Sequence, residues 1–211
     1  MMKLKELEAW LQDVMGFETP KVKLEQYETP AHIAARMIHT MESSFGDVKG
    51  KIVADLGCGC GMLMTGTALM GASASFGFEI DQDALEICQG NLEEMELRSV
   101  ELLQMDIKDL TSTYSRFFKF FDTVVLNPPF GTKRNQGADM EFLKVALDLS
   151  KTAVYSLHKS ATRTHVTKKA ADWGVKMQVI AQLRYNLPST YQFHKKNSVD
   201  IEVDFIRFSL S

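Results

Sequence analysis

Leu4, Leu7, Leu11, Val14 and Met15 recur at helical spacing in LKELEAWLQDVMGF, which predicts a first helix. A second is predicted over ETPAHIAARMIHTMESSF, with Thr29 as its cap, Pro30 in its first turn, and Ile33, Met37 and Met41 repeating every four residues. Trp10 and Trp173 occupy apolar helical positions and are expected in the core. After Gly46 to Gly50 the pattern shortens. KIVADLG, SASFGFEID, VELLQMDI, FDTVVLN, TAVYSLH, MQVIAQLRY and VDIEVDFIRFSL are short apolar or alternating runs that read as strands. Helical segments fall between them: GMLMTGTALMGA, DQDALEICQGNLEEM, DMEFLKVALDLSK and RTHVTKKAADWG. Such alternation predicts a parallel sheet with right-handed crossovers and helices on both faces. The last two strands lack an intervening helix and suit an antiparallel hairpin at one edge. The expectation is a single α/β domain of three layers around a seven-stranded, mostly parallel sheet. Residues 1–46 form N-terminal helices packed on the ligand site, and 47–211 form the core.

Composition narrows the classes. Of 211 residues, 45% are hydrophobic and 24% charged, the balance of a globular chain with a real core. No apolar run approaches the ~20 residues that span a bilayer, and no signal-type apolar region opens the chain. Cys58, Cys60 and Cys88 are an odd number without Cys-x-x-Cys spacing, so reduced thiols are expected, with neither a disulfide frame nor a metal site. The net charge of −3 matters more. A protein that grips nucleic acid unaided is usually basic, so any such activity needs a local basic surface or a helping partner.

Candidate chemistry begins at ADLGCGCG, where Asp55, Gly57, Gly59 and Gly61 stand between the first strand and the next helix. In open α/β sheets ligands bind at the carboxyl ends of strands, where backbone amides and a helix N-terminus are available. Glu79 ends the next strand and can accept from two ribose hydroxyls, while its competitor Asp81 better suits a helix cap. A nicotinamide site usually reads Gly-x-Gly-x-x-Gly. S-adenosylmethionine fits this loop better, because its ammonium calls for acceptors such as Asp55 and it has no pyrophosphate to cradle. Asp106, after the third strand, is placed to accept from an adenine amine.

LNPPFGTK follows the fourth strand at the same rim. The Asn127 side-chain oxygen and the Pro128 carbonyl are two acceptors, Pro128 and Pro129 stiffen the backbone, and Phe130 offers a stacking face. Beside a methyl donor, that set suits the exocyclic amine of a planar base, a poor nucleophile that must be oriented and polarised. Lys133 and Arg134 follow in a basic loop. SLHKSATRTHVTKK adds His158, Lys159, Arg163, His165, Lys168 and Lys169, and YQFHKKN adds Tyr191, Phe193, His194, Lys195 and Lys196. Aromatics interleaved with cations suit single-stranded RNA.

These segments resemble the amino-directed class I methyltransferases, whose signature is Asp/Asn-Pro-Pro-Tyr/Phe after strand four with a glycine loop after strand one. LEQYETPAHIAARM, VADLGCGCG, NPPFGTK, AVYSLHKS and FHKKNSVDIEVDFIRF together are similar to the methyltransferase-like protein 5 family. The resemblance implies a Rossmann-like class I fold and N(6)-methyladenosine formation in small-subunit ribosomal RNA, with S-adenosylmethionine as cofactor. It also places Gln26 and Thr29 by that cofactor, with Glu79 and Asp106 as its acidic contacts; Glu79 stands where relatives can carry Asp. It further implies a small zinc-binding activator protein as heterodimer partner, held along strand three near Val100–Met105, and a nuclear and cytoplasmic location. Two other readings remain: a protein glutamine methyltransferase using the same Asn-Pro-Pro site, and a non-catalytic cofactor-binding scaffold.

Overall fold

The computed structural model describes residues 1–111, 115–131, 135–188 and 198–210. Seven strands form one sheet: β1 (Ile52–Leu56), β2 (Ala74–Glu79), β3 (Val100–Gln104), β4 (Phe121–Leu126), β5 (Ser150–Lys159), β6 (Lys176–Pro188) and β7 (Ser198–Ser209). Their order is β3-β2-β1-β4-β5-β7-β6. The first five run parallel, and β7 inserts antiparallel between β5 and β6. The expected three-layer sheet with its antiparallel edge hairpin is the fold.

Among the described residues six α-helices cover it: α1 (Leu4–Gln12), α2 (Ala31–Phe45), α3 (Met62–Leu69), α4 (Gln82–Glu94), α5 (Ala138–Leu149) and α6 (Arg163–Asp172). The central strands are buried on both faces, so successive residues serve different layers. Val53 and Val125 join Leu7, Leu11, Ile38 and Met41 of α1 and α2 on one side. Ala54 and Val124 join Leu143 and Leu149 of α5 and Val166 of α6 on the other. Asp81 caps α4 as its sequence suggested, accepting from Asp83 N.

Two local expectations are corrected. Trp10 is 45% exposed, because Leu7 and Leu11 are the buried stripe of α1 and Trp10 falls outside it. Trp173 is half-buried against the α6-side core. Thr29 does not cap α2. Pro30 stands at the cap position, and the Thr29 hydroxyl is engaged elsewhere, by Asn127.

Gly77, in the middle of β2, shows how tightly the sheet meets α3 and β3. A Cβ there would lie 2.7 Å from Met64 Sδ, 2.8 Å from Cys58 Sγ and 2.9 Å from Leu102 Cδ2. Three neighbours from three elements cannot all retreat. Gly77→Ala is therefore expected to destabilise the fold by about 1–3 kcal/mol, the usual cost of overpacking, as measured by urea denaturation.

Candidate active site

The carboxyl ends of β1, β2 and β4 open onto one rim, and the loop from β1 to α3 is folded around a single carboxylate. Glu79 Oε2 accepts from Gly59 N at 3.0 Å, while Oε1 accepts from Ile80 N at 2.9 Å and Asp81 N at 3.0 Å. Burial raises the Glu79 pKa, and these three N–H groups oppose that rise. Asp55 Oδ2 accepts from Met64 N at 3.0 Å, at the start of α3. Burial, with a smaller push from the Glu79 charge, raises the Asp55 pKa from 3.8 to about 7. Gly59 has φ +53, and a Cβ on it would meet Phe17 Cζ at 2.8 Å; left-handed backbone and close approach both select glycine there.

A strap from Val14 to Thr29 lies over this loop and is fastened at several points. Asn91, buried in α4, accepts from Met15 N at 2.9 Å and donates to Met15 O at 2.9 Å and Cys60 O at 2.8 Å. Glu28 Oε1 accepts from Phe17 N at 2.7 Å. Gln26 donates to Asp81 Oδ2 at 2.6 Å and accepts from Lys21 N at 2.7 Å. Lys21 Nζ pairs with Asp81 and, at 2.7 Å, with Asp83. Partial burial pushes the Asp81 pKa up, but the Lys21 and Gln26 hydrogen bonds outweigh it and hold the carboxyl below its ordinary value. Asn135, after β4, reaches the strap by donating to Lys23 O and Glu25 Oε1, each at 3.0 Å.

Between strap and rim lies a cavity of about 250 Å³. Gln26, Thr29, Asp55, Gly57, Gly59, Glu79, Asp106, Asn127 and Pro129 all line it. Gly61 does not; it caps α3 at φ +92, where a Cβ would strike Cys88 Sγ at 2.5 Å. Asp106 also accepts from Lys108 N at 3.0 Å, starting a short 3₁₀ turn. Asn127 donates through Nδ2 to Thr29 Oγ1 at 3.0 Å and to the Tyr185 hydroxyl at 3.2 Å. Its Oδ1 is buried and has no partner among the described residues. Phe130 lies behind the cavity wall, stacked on Tyr27 at 6.4 Å and edge-on to Tyr185 at 6.1 Å.

Of the residues expected to meet RNA, Lys133, Arg134, Tyr191, Phe193, His194, Lys195 and Lys196 lie outside the described residues. His158 is a correction. It is fully buried, bonded to Ser156 Oγ at 3.0 Å and Asp139 Oδ2 at 3.3 Å, and so cannot meet a phosphate. Arg163 is tied to Asp204 by bonds of 2.6 and 2.7 Å, whereas His165 and Lys168 are exposed. The sequence reading missed Asn91, Phe17 and Tyr185. Asn91 looked like one more polar residue in a helix with several, and Tyr185 like the last apolar position of a strand. Only Phe17, next to Gly16 early in the strap, carried even a weak signal.

A parallel sheet with a glycine loop after β1, an acid ending β2 and Asn-Pro-Pro after β4 defines a class I, S-adenosylmethionine-dependent methyltransferase. The chain belongs to the methyltransferase small domain family, which it matches over residues 34–180. It is 58% identical to the rRNA N(6)-adenosine-methyltransferase METTL5 of Danio rerio over 99% of both chains. It is 54% identical to the rRNA N(6)-adenosine-methyltransferase Mettl5 of Drosophila melanogaster over 99% of this chain and 97% of that one. Among solved structures, a Pyrococcus horikoshii protein superposes with a TM-score of 0.84 at 34% identity, covering 99% of this chain and 98% of that one.

The residues present fit the cofactor. Asp55, Glu79 and Asp106 are acidic acceptors lining the cavity, and Asn127, whose Oδ1 has no partner among the described residues, lines it with them. When bound, S-adenosylmethionine supplies a methyl group on a sulfonium.

Asp55 ties binding to pH. Its folded pKa lies above the unfolded value of 3.8, so its contribution to stability is complete below about pH 4 and lost as pH rises through about 7. A cationic ligand favours the ionised form. Affinity for S-adenosylmethionine is therefore expected to rise as pH approaches about 7, by at most about tenfold per unit and with proton release, and to level off above it. Calorimetry in buffers of different ionisation enthalpy reads this directly, and Asp55→Asn is expected to remove the slope.

Proposed function

We propose that this protein transfers a methyl group from S-adenosylmethionine to the exocyclic N6 amine of an adenosine in small-subunit ribosomal RNA, acting in the nucleus and cytoplasm. One observation carries the reading: Asn127, which lines the cavity, spends its amide hydrogens on Thr29 and Tyr185 and leaves its oxygen buried and unpaired among the described residues. A buried acceptor without a donor is costly, and a substrate N–H removes that cost. The ligand class it selects is an amine. The relatives named for rRNA N(6)-adenosine methylation supply the particular amine.

An adenine amine is a weak nucleophile because its lone pair is delocalised into the ring. An N–H bonded to Asn127 Oδ1, with the other to the Pro128 carbonyl, draws the nitrogen toward tetrahedral geometry and holds it for attack. Pro128 and Pro129 keep the second acceptor in place because their φ angles are fixed. The site has to admit a base without its helix neighbours, so the nucleotide is taken out of its stack.

Asn127→Ala is expected to lower methyl transfer at least 100-fold while cofactor affinity changes by no more than a few-fold. The measurement is methyl incorporation into ribosomes from cells lacking the protein, followed by nuclease or protease digestion. Label that survives nuclease and is lost to protease would assign the activity to a protein glutamine instead. Full rescue of those cells by a stable Asn127→Ala chain would reduce the protein to a scaffold.

We also propose a small zinc-binding activator protein as partner, docked along β3. Support comes from the position of that strand at the sheet edge. Ser99 O and Met105 N bond to β2, so the alternate residues Val100, Leu102 and Gln104 turn their N–H and C=O groups to the open side. Open edges invite strand pairing, and the net charge of −3 gives the chain reason to share its RNA grip. Gln104→Pro deletes one outward N–H and no main-chain bond to β2, along with one long side-chain bond of 3.4 Å to Ile80 O. Affinity purification of that variant from cells is expected to recover the chain with its partner depleted several-fold; an undiminished partner places the interface elsewhere.

A further inference from the structure

Tyr185, near the carboxyl end of β6, touches both halves of the Asn-Pro-Pro-Phe site. Its hydroxyl accepts from Asn127 Nδ2 at 3.2 Å, and its ring meets Phe130 edge-on with centroids 6.1 Å apart. The residue is 1% exposed. The hydroxyl has one proton, and that proton is directed to the main-chain carbonyl of Glu28 at 3.4 Å. Only lone pairs are then left to face Asn127.

That direction has a chemical consequence. A primary amide can turn over, exchanging its oxygen for its NH₂ at little cost in shape. Turned over, Asn127 would present donors to the cavity, and the site would select a carbonyl or a ring nitrogen in place of an amine. With the hydroxyl proton committed to Glu28, turning over would set the Asn127 oxygen against the oxygen of Tyr185. Burial raises the Tyr185 pKa, so the hydroxyl keeps its proton throughout the working pH range.

We propose that Tyr185 is a positioning residue that sets the polarity of the site, holding the Asn127 amide with its oxygen toward the substrate amine through the relay Asn127 to Tyr185 to the Glu28 carbonyl. It thereby decides that this site takes an amine donor. The inference rests on the assignment of Asn127 made above. It acts on orientation, so its effect falls on the chemical step and not on cofactor binding.

The test is Tyr185→Phe, which removes the hydroxyl and keeps the ring against Phe130. Full-length chain purified from cells with its bound partners is assayed at steady state, with S-adenosylmethionine varied, on ribosomal RNA from cells lacking the protein. A fall of about tenfold in kcat is expected, with KM for S-adenosylmethionine unchanged and the thermal midpoint lowered by only a few degrees, because Asn127 and the Glu28 carbonyl each lose one bond. Tyr185→Leu, which also removes the ring, is expected to fall further. A wild-type kcat for Tyr185→Phe overturns the proposal, as does a loss confined to KM, because a merely structural role would move KM and leave the chemical step alone. Asn127→Ala, run alongside, separates the two claims. If it is dead while Tyr185→Phe is wild-type, the amine site stands and the polarity lock falls; if Asn127→Ala is itself active, the site assignment falls first.

Discussion

Three main-chain N–H groups converge on the carboxylate of Glu79, and the rim keeps its shape because of them. That carboxylate ends β2, reaches across to Gly59 in the loop after β1, and steadies the turn that brings Asp81 to α4. Without it, a glycine-rich loop at left-handed φ would have many conformations of similar energy. With it, the loop has one. The strap packs on that loop through Phe17 and Asn91, so the order of assembly in space is carboxylate, loop, strap, cavity.

The same rim concentrates negative charge. Asp55 and Glu79 are both buried there and both raised in pKa, whereas Asp81, a short distance along the chain, is held low by Lys21 and Gln26. The contrast divides labour. Asp81 is a structural anion that fastens the strap, and Asp55 is a carboxyl raised to about 7 that a cationic ligand draws into its ionised form. A molecule that must hold a positively charged cofactor next to a polyanionic substrate benefits from keeping such charge buried behind the loop, out of reach of phosphates.

Much of this was legible in the residues. Hydrophobic periodicity found all seven strands and the antiparallel return at the edge, because parallel strands buried on both faces leave a strong signal. The glycines, Glu79 and Asn127 were visible because each sits at a strand end, where pattern and chemistry change together. What escaped were contacts between distant segments. Thr29 read as a cap and turned out to receive a hydrogen bond from Asn127. His158 read as a surface cation and is buried, because β5 carries it into the sheet beside Asp139. Trp10 read as core and is exposed, since its helix already had a sufficient apolar stripe in Leu7 and Leu11. Tyr185 had no signature at all, as one tyrosine in a strand looks like any other.

The hydrogen bonds that complete the cavity join residues very far apart: Met15 with Asn91, Thr29 with Asn127, and Glu28 with Tyr185, the last separated by 157 positions. Closing such long loops costs chain entropy that only a formed sheet can offset. The strap is the first part of the site to leave the ribosome, and its last fastening, at Glu28, waits for β6, nearly the last part, to arrive. The molecule therefore completes its architecture before it acquires chemistry, and a nascent or locally opened chain is a folded sheet with no competent site.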